Sequence, residues 1–266
     1  MSRDDTAAGE PDTSQGAQTV HRTMAILRLL ACGQERGVRL TDLVHMSGLN
    51  RPTVHRILKA LVAEGAVEQH ADTRRYLIGP ELTLLGIART KRFPLSSIAG
   101  PYLGKLAEQV GDTAFLSMRH GHDSICIGRK TGGHPIQVLS IEVGVRRPLG
   151  VGVSGVALLS CLPEDASEAI IAGNARRLAA HNLDPQELNR RVQEARALGY
   201  AYVRAGIMPG TSALSIAIRA VDGEPLAAVT ITAMAERLGA QRLPEVLAAM
   251  REQARLIARH HAEVRQ

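Results

Sequence analysis

Apolar residues recur at helical spacing in three short segments near the amino terminus. The first segment runs from Val20 to Leu30, and the second begins at Leu40. Ser47-Gly48 ends the second segment, because glycine readily takes the left-handed conformation of a sharp turn. The third segment starts after Asn50, a good N-cap, with Pro52 in the first turn, where a missing N–H costs little. The pattern predicts three helices with a tight turn before the third.

A strand-like pattern follows the third helix. Residues Val67 to Ile78 form two short extended segments around a polar turn, and a hairpin in this position is the wing of a winged helix-turn-helix domain. We therefore predict such a domain at residues 18–80. Residues 1–17 contain almost no large apolar side chain, which predicts a disordered tail. A Leu- and Ile-rich stretch after the wing predicts a linker helix at residues 81–96.

The rest of the chain, residues 97–266, mixes helical and strand patterns without strict alternation. The predicted helices are Tyr102–Val110, Ser154–Cys161, Gln186–Leu198 and a long one from about Pro244. The predicted strands are Ala114–Ser117, Ser124–Gly128, Leu214–Ile218 and Ala227–Thr232. Such a mixture is typical of layered α+β domains, so the expected fold class is α+β.

Composition and charge narrow the range of functions. The formal net charge of +6 is compatible with a polyanionic partner but does not require one. Aromatic residues make up only 2% of the chain, which disfavours single-stranded nucleic-acid binding by base stacking. The three cysteines are scattered, as in reduced cytoplasmic proteins, and no apolar run approaches the length of about 18 residues that marks a membrane span. We expect a cytoplasmic protein that does not cross a membrane.

The third predicted helix carries hydrogen-bonding side chains on the face away from its apolar stripe. These residues are Arg51, Thr53, His55, Arg56 and Lys59. A helix that enters the major groove needs such side chains in its first turns, and arginine is the commonest reader of guanine. A solvated helix face is an equally good interpretation of this helix alone. The wing residues Arg74 and Arg75, placed to contact phosphates, favour DNA binding.

Several motifs in this region carry a family resemblance. They are Val20–Leu27, Leu40–Leu43, Thr53–Leu58, Leu61–Gly65 and Tyr76–Pro80. With these motifs the chain resembles the IclR family of bacterial transcriptional regulators. The resemblance implies DNA contact through Thr53-Val54-His55-Arg56, so Val54 joins the candidate DNA-binding residues although it lies on the apolar stripe. Pro52 stands where the family often has serine, which removes a hydroxyl that could contact a phosphate.

The resemblance continues to about residue 255 and implies a GAF-like domain that binds a small metabolite. The candidate effector-binding residues are Leu149, Gly155, Val156, Val203, Ala213, Thr230 and Thr232. Gly155 and Val156 lie at the start of a predicted helix, where free backbone N–H groups suit a carboxylate. The two threonines alternate along a strand and share one face, although β-propensity alone would also explain them.

Two of these positions distinguish the chain from members of the family that bind small oxo-acids. Val203 stands where those members carry an acidic residue, and Ala213 stands where they carry a cysteine. The implied site is more apolar, so we expect a bulkier organic acid, aromatic or branched.

An enzyme and a metabolite-binding module that never contacts DNA are the competing functional classes. The sequence shows no clustered nucleophile, base or metal-ligand set, and His120 and His122 have no further ligand at suitable spacing. We expect no catalytic residues, metal or cofactor. One winged helix reads only a few base pairs, so binding of double-stranded operator DNA should require a homodimer, and the family also forms tetramers.

Overall fold

The structure is a computed structural model that describes residues 13–33, 36–92, 95–204, 208–221 and 223–264. The chain divides into two compact units between Ala88 and Arg89. No helix in the described ranges is long and apolar enough to cross a membrane. Residues 1–12 of the predicted tail and residues 93 and 94 of the predicted linker lie outside these ranges.

The amino-terminal unit contains the predicted helices and hairpin. Its elements are α1 (Thr13–Cys32), α2 (Leu40–Ser47), α3 (Arg51–Ala63), β1 (Val67–Gln69) and β2 (Tyr76–Ile78), and α4 (Pro80–Arg92) begins in this unit and continues past its boundary at Ala88. The two strands pair antiparallel, with Val67 opposite Ile78. The fully buried side chains of its core are Ile26, Leu30, Leu43, Val54 and Leu58. The winged helix-turn-helix architecture predicted from the sequence is present.

The turn between α2 and α3 has the predicted local structure. Gly48 caps α2 in the left-handed conformation, with φ of 66°. The Asn50 side chain accepts a hydrogen bond of 2.9 Å from the backbone N–H of Thr53, which begins α3. The tail prediction is only partly compatible with the structure, because α1 begins at Thr13 and residues 13–17 are helical.

The carboxy-terminal unit is built on one antiparallel sheet. Its elements are α5 (Leu95–Val110), β3 (Thr113–His120), β4 (Asp123–Lys130), β5 (Arg146–Pro148), α6 (Val153–Leu159), α7 (Glu164–Ala179), α8 (Pro185–Leu198), β6 (Ala201–Val203), β7 (Thr211–Arg219), β8 (Pro225–Met234) and α9 (Leu243–Val264). The six strands lie in the order β5-β4-β3-β8-β7-β6. One apolar cluster joins α5 and α9 to the sheet, and a second joins α6, α7 and α8 to it.

Three elements of this unit have no counterpart in the sequence-based prediction. β5 and β6 are three-residue strands, too short to show an alternating pattern. The inward face of α7 includes the polar residues Ser167 and Asn174, which interrupt its apolar period. In addition, α5 begins at Leu95, earlier than predicted, and continues through Pro101.

Candidate DNA interface and ligand cavity

The outward face of α3 presents polar side chains to solvent. Arg51, His55, Arg56 and Lys59 are exposed, and Thr53 is half-buried. The opposite face packs into the core through Val54, Ile57, Leu58 and Leu61. Val54 is fully buried, so its assignment as a DNA contact was wrong. The Val54 side chain instead packs α3 against the rest of the unit. This packing keeps the opposite face of α3, with its polar side chains, turned to solvent.

A concave surface lies between α2, the start of α3 and the hairpin. Its lining residues are Arg39, Leu40, Thr41, Arg51, Pro52, His55, Gln69, Thr73, Arg74 and Tyr76. Three of these ten residues are arginines and none is acidic, so the surface favours an anionic partner. Sequence reasoning did not single out Arg39 and Thr41 as contacts. Their signal is their place at the start of α2, because the first N–H groups of a helix lack partners within it and suit phosphate.

The two wing arginines have different surroundings. Arg74 is exposed and has a left-handed backbone, with φ of 56°, in the turn between β1 and β2. Arg75 is half-buried, and its Nη1 donates a hydrogen bond of 2.9 Å to the carbonyl of Gly37. Arg74 is therefore placed to reach a partner, whereas Arg75 fastens the hairpin to the loop before α2.

A cavity of about 50 Å³ lies in the carboxy-terminal unit between the sheet and the start of α6. Its lining residues are Phe115, Ser117, Ser124, Ser140, Ile141, Arg147, Val151, Gly152, Val153, Ser154, Val203, Ala213, Thr230 and Thr232. Four of the seven candidate effector-binding residues are among them. The strand register explains this, because Val203 pairs with Ala213 across β6 and β7, and Ala213 pairs with Thr232 across β7 and β8.

The other three candidates do not line this cavity, which corrects the prediction. Leu149 is fully buried in the apolar cluster around α6. Val156 is buried in the same cluster, and its N–H already donates to the carbonyl of Gly152. A Cβ atom on Gly155 would lie 2.5 Å from the backbone nitrogen of Gly150. Gly155 therefore allows two backbone segments to pack closely. The resemblance in sequence did not show which way these three residues face.

The two threonines of the cavity have different hydrogen-bond partners. The Thr230 hydroxyl donates to Oγ of Ser215 at 2.9 Å, and the Ser215 hydroxyl donates to the carbonyl of Val229. The Thr232 hydroxyl is buried and has no hydrogen-bond partner among the described residues. A buried hydroxyl without a partner is unfavourable, so Thr232 is the threonine whose hydroxyl is available to a ligand.

Arg147 is a cavity residue that sequence reasoning missed. Its Nη2 donates to the carbonyl of Ser140 at 3.2 Å, and no carboxylate of the described residues lies within ion-pair distance. Burial lowers the pKa of this guanidinium from its ordinary value. The preceding Arg146 instead pairs with Asp123 at 3.5 Å. Successive residues of a strand point to opposite faces, so two arginines in β5 were the signal that one faces inward.

His120 and His122 each make a hydrogen-bonding contact within this unit. The Nη2 atom of Arg146 lies 2.9 Å from Nδ1 of His120, and the His122 carbonyl accepts from the side chain of Asn174. In the described ranges, no three histidine, cysteine or acidic side chains come together in an arrangement that could hold a metal ion.

Comparison with known proteins gives consistent matches over both units. The family of IclR helix-turn-helix domains matches residues 19–71, and the family of bacterial transcriptional regulator IclR C-terminal domains matches residues 87–259. The glycerol operon regulatory protein of Streptomyces coelicolor is 30% identical, over 92% of this chain and 97% of its own length. The members of this family of transcriptional regulators are not enzymes.

Two solved structures share the fold over nearly the whole chain. The IclR transcriptional regulator from Alicyclobacillus acidocaldarius has a TM-score of 0.75 and 24% identity, covering 92% of this chain and 98% of that chain. An IclR homologue from Microbacterium hydrocarbonoxydans, solved in complex with 4-hydroxybenzoate, has a TM-score of 0.73 and 20% identity. It covers 92% of this chain and 99% of that chain.

Proposed function

The chain belongs to the IclR family of bacterial transcriptional regulators, and we propose that a small organic acid in its carboxy-terminal unit controls its affinity for operator DNA. The observation that carries the effector part is Arg147, a cavity-lining cation with no carboxylate partner among the described residues. The unpaired hydroxyl of Thr232 in the same cavity supports it. A carboxylate would satisfy the cation, and a second acceptor or the same carboxylate would satisfy the hydroxyl.

In this proposal the outward face of α3 reads the operator. Arg51, Thr53 and Arg56 contact base edges in the major groove, with His55 beside them. Lys59 and the wing residue Arg74 contact phosphates, because both are exposed cations. The electrostatic attraction between a cation and a phosphate does not require one fixed geometry. The exposure of these side chains and the positive concave surface support this assignment.

The effector we propose is an aromatic or branched acid. Phe115, Ile141, Val151, Val203 and Ala213 supply apolar walls, which favour an apolar body over a compact oxo-acid. The 4-hydroxybenzoate held by the Microbacterium homologue is an acid of this kind. The cavity of about 50 Å³ is smaller than the roughly 150 Å³ that holds benzene in a buried apolar site. An aromatic acid therefore requires part of the wall to move.

We also propose that the protein works in the cytoplasm as a homodimer or homotetramer. A symmetric pair of winged helices would read two half-sites, which one unit alone cannot do. Apolar side chains on two helices of the amino-terminal unit are exposed and available for self-association. They are Val20 and Met24 on α1 and Leu84, Leu85 and Ile87 on α4.

A mobility-shift assay tests both halves of the proposal. The full chain should retard DNA from the region upstream of its own gene, and saturating 4-hydroxybenzoate should change the midpoint by about 10-fold, a usual size for allosteric coupling. Calorimetry with 4-hydroxybenzoate, pyruvate and glyoxylate then tests the effector class. Tight binding of pyruvate or glyoxylate and none of the larger acid would contradict the aromatic or branched assignment.

A further inference from the structure

One wall of the cavity is a short segment with little attachment to the rest of its unit. Residues 139–143, which we call the flap, belong to the loop between β4 and β5, and Ser140 and Ile141 of the flap line the cavity. The side chains of Leu139 and Val143 are 50% and 53% exposed. Moving the flap would therefore disturb little of the apolar core.

The chain on either side of the flap is firmly held. Before it, Val138 is buried, and the Gln137 side chain donates to the carbonyl of Gly111 at 3.0 Å. After it, the N–H of Gly144 donates to the carbonyl of Cys126 at 2.8 Å. The flap is thus a five-residue span between two fixed ends, and a change in it need not alter the surrounding sheet.

One hydrogen bond holds the flap across the cavity in the part of the chain that the structure describes. Apart from the local bond from the N–H of Val145 to the carbonyl of Glu142, the described residues show one hydrogen bond between the flap and the rest of the unit. This bond runs from Nη2 of Arg147 to the carbonyl of Ser140. The same guanidinium that closes the flap is therefore the cation that faces the cavity.

We propose that Arg147 is the anion-recognition residue of the cavity, and that a bound carboxylate takes its guanidinium from the Ser140 carbonyl and releases the flap. The inference rests on the proposed function, because it requires an organic acid in this cavity. Both bonds have the charged guanidinium as donor, but a carboxylate adds an opposite charge and can accept two parallel N–H bonds, so it is a better acceptor than the carbonyl. The guanidinium has five N–H donors, so the proposal requires the carboxylate to draw it into the cavity and away from the Ser140 carbonyl. The carboxylate is itself only an acceptor and cannot replace the lost donor, so the flap then has no partner.

Release of the flap would couple recognition of the acid to a conformational change of the protein. A ligand shifts a conformational equilibrium only through contacts that differ between the two states, and the exchange of acceptors on Arg147 is such a difference. Burial also lowers the pKa of Arg147, which shows that its charge is poorly solvated and would gain from an anion. Movement of Ser140 and Ile141 would enlarge the cavity, as an aromatic or branched acid requires.

Spin labels on the full chain measure the flap directly. One label is placed at Val143→Cys in the flap and a control label at Ile136→Cys, which is equally exposed but precedes the fixed Gln137. Both are made in a Cys32→Ser, Cys161→Ser background, because Cys126 is buried. Without any acid, Arg147→Ala should raise the ratio of mobile to ordered label at 143 about 10-fold, the size of one hydrogen bond from a charged donor. Arg146→Ala is the matched control and should leave both labels unchanged.

The ligand arm uses benzoate and isobutyrate, with benzamide as the uncharged analogue of benzoate. In the labelled protein that keeps Arg147, saturating benzoate should mobilise the label at 143 to the level seen in Arg147→Ala, and benzamide should not. Calorimetry should show that Arg147→Ala weakens benzoate at least 10-fold, and that Arg147→Lys, which keeps the charge, recovers part of the loss. Labels unaffected by Arg147→Ala, or benzoate bound without mobilising position 143, would overturn the release of the flap and leave the proposed function standing. Failure of both acids to bind would overturn Arg147 as the anion site, and unchanged operator affinity with every acid would count against the proposed function itself.

Discussion

The outward face of α3 and the cavity of the carboxy-terminal unit place their polar groups in opposite environments. On α3 the side chains of Arg51, Arg56 and Lys59 project into solvent from a helix whose other face makes the core. In the cavity, Thr232 is buried and its hydroxyl has no hydrogen-bond partner among the described residues, and the half-buried Arg147 donates to one carbonyl and has no carboxylate partner there. The exposed side chains of α3 can be substituted without changing the fold of the unit. In the cavity, the effect of a substitution on stability depends on whether the replaced polar group makes a hydrogen bond.

The largest expected effect is a loss of operator affinity without a loss of stability, caused by a substitution on the outward face of α3. Arg56→Ala should weaken operator binding by about 10- to 100-fold, because one arginine contact to a base contributes about 1–3 kcal/mol. The melting temperature should stay unchanged, since Arg56 is exposed and its side chain makes no packed contact in the core. Fluorescence anisotropy and thermal unfolding check the two halves. Val54→Ala is the contrasting variant, and it should lower stability because Val54 is fully buried.

Unchanged operator affinity in Arg56→Ala, with the fold intact, would show that the outward face of α3 does not read the DNA.

A smaller effect should distinguish the two wing arginines. Arg74→Ala should reduce the slope of log affinity against log salt by about 1, as expected for one lost phosphate contact, and leave stability unchanged. Arg75→Ala should lower the free energy of unfolding by about 1 kcal/mol, because it removes the hydrogen bond to the Gly37 carbonyl. Salt titrations of DNA binding and urea denaturation give both quantities. The reverse outcome, with the slope sensitive only to Arg75, would contradict these roles.

The smallest effect concerns the two cavity threonines in the absence of added acid. Thr230→Val should lower the free energy of unfolding by about 1 kcal/mol, because it removes the hydroxyl that donates to Ser215. Thr232→Val should leave stability unchanged or raise it slightly, because the Thr232 hydroxyl has no partner among the described residues. Urea denaturation measures both variants. Equal losses in the two would mean that the Thr232 hydroxyl is already satisfied.

The contrast between the helix surface and the cavity also explains how much of each site could be predicted from the sequence. The turn at Gly48, the Asn50 cap and the buried stripe of α3 depend on residues a few positions apart, so local rules predicted them. The cavity collects residues from Phe115 to Thr232, and its lining depends on how distant strands pair. Val203 and Ala213 were predicted because they occupy family positions that are neighbours across the sheet.

Residue direction was the information that the sequence lacked. Leu149 and Gly155 hold family positions near the cavity, but one points into the core and the other is pressed against the backbone of Gly150. Arg147 was missed for the same reason, because only the pairing of β5 with β4 determines which of the two adjacent arginines faces inward. The amphipathic character of α7 was concealed by buried polar residues that no local rule anticipates.

The most direct test of the account is the coupling between acid and operator. Fluorescence anisotropy of labelled upstream DNA, titrated with the full chain, gives the Kd with and without a saturating acid that calorimetry has shown to bind. The account predicts a shift of at least about 10-fold in the unmutated protein, equivalent to about 1.4 kcal/mol of coupling, and none in Arg147→Ala at the same acid concentration. An acid that binds the cavity and leaves the Kd for DNA unchanged would contradict it.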